Sequence, residues 1–148
     1  MNKEYIIISV KHTGTNFLQK LVKPILGDVE VCHWSNGSSV KRFSGYKILS
    51  PIRNPFDCFV TWYSRDRYGY EFIKEWNIFN EFFKSGKIAA VLPIDTLDKN
   101  QHLNKLSEVI GGGLITDWSP VESMQRHTPP KIDLSEVYNL PIVKHFYE

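Results

Sequence analysis

The feature that most constrains the fold is a short apolar run that is followed at once by a glycine-containing turn and a helix-like pattern. Residues 5–10 are mostly β-branched, and apolar and polar side chains do not alternate in them. Such a run is typical of a strand that is covered on both faces, as in a parallel sheet. After the turn at residues 11–16, the apolar residues at helical spacing are Phe17, Leu18, Leu21 and Val22. The segment predicts a strand, a turn and a helix, with Pro24 and Gly27 ending the helix.

The order of strand and then helix repeats along the chain. Further strands are predicted at residues 29–33, 46–52 and 88–94, with a polar turn at residues 35–39. Further helices are predicted from Pro55, over residues 71–84, from a cap at Asp98 to the glycines at 111–113, and over residues 134–146 with an interruption at Pro141. This alternation predicts one α/β domain over residues 1–148 with a mostly parallel sheet of about four strands. Ligands bind beyond the carboxyl ends of the strands in such sheets.

Composition excludes several classes of protein. The chain has 148 residues, 42% hydrophobic and 23% charged, which is typical of one globular domain and not of a disordered chain. Its longest purely apolar run, residues 6–8, is far shorter than the roughly 20 residues of a membrane span. A net charge of +2 is too small for a surface that coats nucleic acid, and two cysteines cannot form a disulfide framework. We therefore expect a cytoplasmic protein that binds neither nucleic acid nor membrane.

The turn after the first predicted strand has the composition of an anion-binding loop. Its residues are Lys11, His12, Thr13, Gly14, Thr15 and Asn16. The backbone N–H groups at such a strand-to-helix turn point at the space before the helix, and the side chains add further donors. The loop lacks the GxxxxGK[ST] pattern of nucleotide triphosphatases. An exposed turn with ordinary polar residues is an equally good interpretation of this segment by itself.

A second polar segment follows the third predicted strand. Asn54 and Pro55 fit the N-cap and first position of a helix, and Asp57 fits a capping box. Arg53 precedes this helix start, and Thr61 follows Arg53 by eight residues. An arginine and a hydroxyl beside a helix start can hold a phosphate, the arginine through two parallel N–H bonds. The structural alternative is that Arg53 pairs with Asp57.

Taken together, the two segments resemble the sulfotransferases that use 3′-phosphoadenosine 5′-phosphosulfate (PAPS). The loop at residues 11–16 is similar to the family's loop around the 5′-phosphosulfate. The Arg-Asn-Pro-x-Asp sequence at residues 53–57, followed by Thr61 and an aromatic pair, matches the family's second signature closely. The similarity extends over most of residues 4–111. It implies a P-loop-NTPase-like three-layer fold and PAPS as the sulfuryl donor, with no metal.

The resemblance also implies roles for individual residues. Lys11 or His12 would take the place of the family's catalytic lysine, because the alignment on Gly14 puts His12 at that position. His33, at the end of the second predicted strand, would be the base that accepts the proton of a small-molecule, glycan or peptide acceptor. The donor nucleotide would be held by residues of both segments, namely Lys11, His12, Thr13, Gly14, Thr15, Asn16, Arg53 and Thr61. The alternatives are a nucleotide or sugar kinase and a non-catalytic nucleotide-binding domain.

Overall fold

The computed structural model describes residues 1–65, 69–95, 99–112 and 133–148. Within them, strands and helices alternate over most of the chain. In chain order the elements are β1 (Tyr5–Ser9), α1 (Thr15–Leu26), β2 (Glu30–His33), α2 (Gly37–Arg42), β3 (Lys47–Ile52), α3 (Pro55–Arg65), α4 (Gly69–Lys84), β4 (Ile88–Pro93), α5 (Lys99–Ile110), α6 (Ser135–Tyr138) and α7 (Pro141–Tyr147).

The four strands form one parallel sheet in the order β2-β1-β3-β4. Ile7 of β1 pairs with Val31 on one side and with Leu49 on the other, so β1 lies inside the sheet. All five residues of β1 are buried, as expected for a strand that is covered on both faces. The α/β class and the parallel four-stranded sheet are therefore confirmed.

The alternating side chains of β1 enter two separate cores. Ile6 and Ile8 pack in a cluster with side chains from α3, α4, α6 and α7. Ile7 packs in a second cluster with side chains from α1 and α5. Both faces of the sheet are thus covered by helices, and each buried isoleucine contributes about 1.5–3 kcal/mol through the hydrophobic effect. This two-sided burial explains why the isoleucines of β1 follow one another without alternating with polar residues.

Two boundaries expected from the sequence are wrong. Pro24 does not end α1, because the helix continues to Leu26 and ends at Gly27, which has a φ of 70°. Pro24 lies in the exposed last turn, where solvent can hydrate the carbonyl group that loses its amide donor. The expected polar turn at residues 35–39 contains the start of α2, whose first turn is closed by the hydrogen bond from Val40 N–H to the Asn36 carbonyl at 3.0 Å.

The end of the chain folds as two short helices. The predicted interruption at Pro141 is present, and Pro141 occupies the first position of α7. Gly111, at a φ of 81°, follows α5, while the predicted cap Asp98 and Gly113 lie outside the described residues. Among the described residues, no helix is both long and apolar enough to cross a bilayer.

The connections after β1 and β3 leave the sheet in opposite directions. The loop after β1 leads to α1, whose buried residues share the core of Ile7. The segment after β3 leads to α3, whose buried residues share the core of Ile6 and Ile8. Two neighbouring parallel strands whose connections diverge leave a crevice beyond their carboxyl ends. The predicted site segments at residues 11–16 and 53–57 both border this crevice.

Candidate active site

A cavity of about 610 Å³ opens beyond the carboxyl ends of β1, β2 and β3. It is large enough for a small-molecule ligand. Its lining residues are Lys11, His12, Gly14, Thr15, Asn16, Phe17, Val31, His33, Arg53 and Thr61. The structure therefore brings together around one cavity all of the residues singled out from the sequence, with the exception of Thr13. Phe17 and Val31 add apolar surface that the sequence did not single out.

Thr13 has a different position from the other loop residues. Its side chain is fully buried, and its Oγ1 donates a hydrogen bond to the Val10 carbonyl at 2.5 Å. The hydroxyl thus closes the turn after β1 and is not part of the cavity wall. The sequence alone did not distinguish this inward threonine from Thr15, which lines the cavity.

The backbone of the loop is held in conformations that few residues adopt. Gly14 has a φ of 99°, and a Cβ atom there would collide with the side chain of Ile94. His12 has a φ of 66°, in the left-handed region that is uncommon for residues other than glycine. Backbone strain of the kind seen at His12 is concentrated at active sites and ligand-binding sites in proteins.

The N-terminus of α1 faces the same cavity without a negative group of its own. Gly14 is the N-cap residue and supplies no side-chain acceptor, and the first turn of the helix contains no acidic residue. The first N–H groups of any helix lack intrahelical partners and carry partial positive charge. Together with Lys11, this helix end makes the cavity favourable for an anion.

Lys11 and His12 both contact the ring of Trp62 on α3. The Lys11 Nζ lies 5.5 Å from the ring centroid, and the His12 ring packs edge-on with 6.1 Å between the centroids. The Lys11 carbonyl accepts a hydrogen bond from the Cys58 Sγ at 3.0 Å. Burial raises the pKa of Cys58 far above neutrality, so the group remains a thiol donor that fixes the start of the loop on α3. Lys11 and His12 also both line the cavity.

The orientation of His33 is set by the backbone of β1. Its Nδ1 lies 3.2 Å from the Ser9 carbonyl oxygen, which can only accept a hydrogen bond. The hydrogen bond therefore requires a proton on Nδ1, and the neutral ring then carries its lone pair on Nε2. The Ser9 hydroxyl is 3.4 Å from the same Nδ1 and 2.7 Å from the Thr15 hydroxyl. This network joins His33 to the anion-binding loop.

Arg53 lies directly after β3 and is only 7% exposed although it lines the cavity. Thr61 lies farther along α3, and its Oγ1 donates to the Asp57 carbonyl at 3.5 Å. At that length the bond is weak. A buried guanidinium that borders a cavity suits a phosphate or a carboxylate, which it can bind through two N–H groups.

The helix start beside Arg53 is capped differently from the expectation. Asn54 is the N-cap, and its Oδ1 accepts the Phe56 N–H at 3.0 Å. The N–H of Asn54 itself donates to the Asp95 carboxylate at 2.8 Å. The capping box predicted with Asp57 is therefore wrong, because Asp95 at the end of β4 supplies the acceptor.

Sequence reasoning missed Glu75 on α4. The residue is fully buried, and its carboxylate oxygens make no hydrogen bond of good geometry with the described residues, although the Ser35 N–H lies nearby. Burial raises the pKa of Glu75 to about 7, while the nearby Lys11 charge and the Ser35 N–H offset part of this rise. Glu75 lies on the apolar stripe with Phe72 and Phe79, and a charged residue on such a stripe is the signal that could have identified it.

Over the described ranges, no group of three or more His, Cys, Asp or Glu side chains could hold a metal ion. Comparisons of the chain with protein-family models, with curated proteins and with solved structures find no match. The function of the protein therefore has to be inferred from the residues of the site themselves.

Proposed function

We propose that the protein is a PAPS-dependent sulfotransferase with a P-loop-like nucleotide site. The observation that carries the proposal is the convergence of two motifs on one cavity. The loop at residues 11–16 and the pair Arg53 and Thr61 are about 40 residues apart in sequence, yet both border the same 610 Å³ space. A cavity with two separate anion-binding segments suits a nucleotide that carries phosphate on both its 5′ and its 3′ side.

The 5′-phosphosulfate would bind at the loop and the N-terminus of α1. Negative charge is stabilised there by the N–H groups of the helix start, by the Lys11 ammonium group and by the hydroxyl and N–H groups of Thr15. The 3′-phosphate would bind at Arg53 and Thr61. This division assigns one group of the ligand to each polar segment of the cavity. The alternative, in which Arg53 serves only to pair with Asp57, does not explain why Arg53 lines the cavity.

The proposed reaction is an in-line transfer of the sulfuryl group. The oxygen or nitrogen of the acceptor forms a bond to sulfur as the bond from sulfur to the 5′-phosphate oxygen breaks, and the electron pair leaves with adenosine 3′,5′-bisphosphate. His33 Nε2 accepts the acceptor's proton, because Nδ1 is engaged with the Ser9 carbonyl. Lys11 or His12, with the loop N–H groups, stabilises charge on the sulfuryl oxygens and on the leaving phosphate.

The test compares adenosine 3′,5′-bisphosphate with adenosine 5′-monophosphate, which differ only in the 3′-phosphate. A charge-assisted arginine contact contributes about 1.5–3 kcal/mol, or roughly 10- to 150-fold in affinity. We expect the wild-type protein to prefer the bisphosphate by such a factor in calorimetric titrations. Arg53→Ala should lose most of the preference, and Arg53→Lys should regain little, because an ammonium group lacks the planar fork.

Arg42→Ala is the matched control, because Arg42 is an exposed arginine that pairs with Glu30 outside the cavity. The control should bind both nucleotides like the wild type. Equal affinities of the wild-type protein for the two nucleotides would overturn the sulfotransferase assignment.

A further inference from the structure

Two tyrosines from the C-terminal helices meet at the start of α3, next to Arg53. The Tyr138 Oη donates a hydrogen bond to the Asn54 Oδ1 at 2.7 Å and accepts one from the Phe56 N–H at 3.2 Å. The Tyr147 Oη donates to the Asp95 Oδ1 at 2.7 Å. The other oxygen of Asp95 accepts the Asn54 N–H. Tyr138 thus holds the side chain of Asn54 directly, and Tyr147 holds its backbone N–H through Asp95. Asn54 is the residue that follows Arg53.

These hydrogen bonds exceed what the helix start needs for its own capping. Asn54 alone already satisfies the Phe56 N–H, as an N-cap residue ordinarily does. The additional bonds join residues that are far apart in the sequence. Tyr138 is separated from its two partners by 82 and 84 positions, and Tyr147 is separated from Asp95 by 52 positions. Long-range bonds that converge on one backbone position restrict its orientation, and Arg53 is joined to that position by a peptide bond.

The helices that carry the tyrosines are themselves firmly docked. Ile142 and Val143 of α7 are buried, and the Ile142 N–H donates to the Asn80 side chain on α4 at 3.0 Å. Burial and the Asp95 carboxylate raise the pKa of Tyr147, so its hydroxyl remains a donor at neutral pH. The C-terminal helices can therefore transmit their position to the start of α3.

We propose that Tyr138 and Tyr147 are positioning residues that hold the Arg53 guanidinium in place for the ligand's 3′-phosphate. This role rests on the proposed function, since it requires that phosphate to bind at Arg53. It also couples the anion site to the C-terminal helices. Such coupling is reciprocal. The free energy by which the tyrosine contacts strengthen ligand binding equals the free energy by which the bound ligand stabilises the docking of α7.

The first test removes one hydroxyl at a time with Tyr138→Phe and Tyr147→Phe. Tyr5→Phe is the matched control, because the Tyr5 hydroxyl donates to the Val109 carbonyl outside the cavity. We expect each site variant to bind adenosine 3′,5′-bisphosphate about 5- to 20-fold more weakly, as for loss of one precisely oriented polar contact. Binding of adenosine 5′-monophosphate should stay within about twofold of the wild type, since this nucleotide does not use Arg53.

The second test measures hydrogen exchange in α7 relative to α5, because ligand binding slows global unfolding of both helices. Coupling through the tyrosines should slow exchange of the Val143 and Lys144 amides, which donate to the Leu140 carbonyl, beyond this shared effect. The additional slowing in α7 should be lost in Tyr147→Phe. Tyr138 is 36% exposed, so Tyr138→Phe keeps the core intact and tests the proposal even if Tyr147→Phe fails to fold.

The outcomes separate the two proposals. If the wild-type protein prefers the bisphosphate but both tyrosine variants keep that preference, the positioning role is overturned and the sulfotransferase proposal stands. If the wild-type protein shows no preference, the sulfotransferase proposal is overturned together with the positioning role. Loss of preference in the tyrosine variants but not in Tyr5→Phe supports both.

Discussion

At the scale of single residues, the Ser9 carbonyl determines which ring nitrogen of His33 carries the proton. The Ser9 carbonyl accepts from Nδ1, which leaves Nε2 of the neutral ring as the basic atom. In the proposed reaction this atom accepts the proton of the acceptor.

We expect His33→Ala to lower kcat for sulfuryl transfer by about 10²- to 10⁴-fold, the usual contribution of a positioned general base. The affinity for adenosine 3′,5′-bisphosphate should change little, because the base acts on the acceptor. Steady-state rates and calorimetric titration of the same preparations measure both effects. An unchanged rate at neutral pH would show that His33 is a structural residue.

Burial of the Glu75 carboxyl group opposes its ionisation. Its pKa is raised to about 7 in the folded protein, against about 4.3 in an unfolded chain. The folded state therefore binds the proton more tightly, and stability declines as the pH rises from about 4.3 to about 7. Above pH 7 the penalty is complete and amounts to about 3–4 kcal/mol.

Glu75→Gln should abolish this contribution to the pH dependence. We expect the variant to gain stability relative to the wild type between pH 5 and pH 8, by about 2–3 kcal/mol in urea unfolding experiments. Glu81→Gln is the control, because Glu81 is an exposed residue of the same helix and pairs with Lys84. A difference between wild type and Glu75→Gln that is the same at both pH values would contradict the assigned pKa.

At the scale of elements, the loop between β1 and α1 depends on Gly14. The positive φ and the proximity of Ile94 both disfavour a side chain there. The same short loop contains His12, whose backbone is in the left-handed region, and leads directly into the start of α1.

Gly14→Ala should destabilise the protein by about 1–2 kcal/mol and weaken binding of the bisphosphate by at least about tenfold, because the loop has to move away from its anion-binding geometry. Gly37→Ala is the matched control, since a Cβ there meets no atom within 4 Å and Gly37 begins α2. Unfolding and binding of both variants measure the effect. Wild-type affinity in Gly14→Ala would show that the loop does not form the binding surface.

The sequence predicted the elements well because their signals are local. The apolar run of β1 and the Asn54-Pro55 start of α3 depend on a few consecutive residues, and both are present in the structure. The acceptor for the Asn54 N–H was not predictable in this way, because Asp95 is 41 positions away. The inward Thr13 and the buried Glu75 also depend on packing that no local pattern encodes.

At the scale of the whole molecule, ligand binding and unfolding are linked. A ligand at about 100 times its Kd adds roughly 2.7 kcal/mol to the free energy of unfolding. For a chain of this length, that corresponds to an increase in Tm of about 5–10 °C.

We expect adenosine 3′,5′-bisphosphate to raise the Tm by this amount, and ATP with Mg²⁺ to raise it much less. The site offers a second anion-binding segment at Arg53 and lacks the lysine of a nucleotide triphosphatase loop. A thermal-shift series with both ligands and buffer measures the difference. A shift with ATP and Mg²⁺ alone would favour a kinase, and binding of the bisphosphate without sulfuryl transfer from PAPS would favour a non-catalytic binding domain.

The position of Trp62 gives the cavity an intrinsic fluorophore. Its indole ring is buried on α3 and is in contact with both Lys11 and His12, the two side chains at the entrance of the loop. Indole emission responds to nearby charge, so a ligand that draws the Lys11 ammonium from the ring alters the emission of this tryptophan. Binding of such a ligand in the cavity can therefore be followed optically, without an attached dye or a labelled nucleotide.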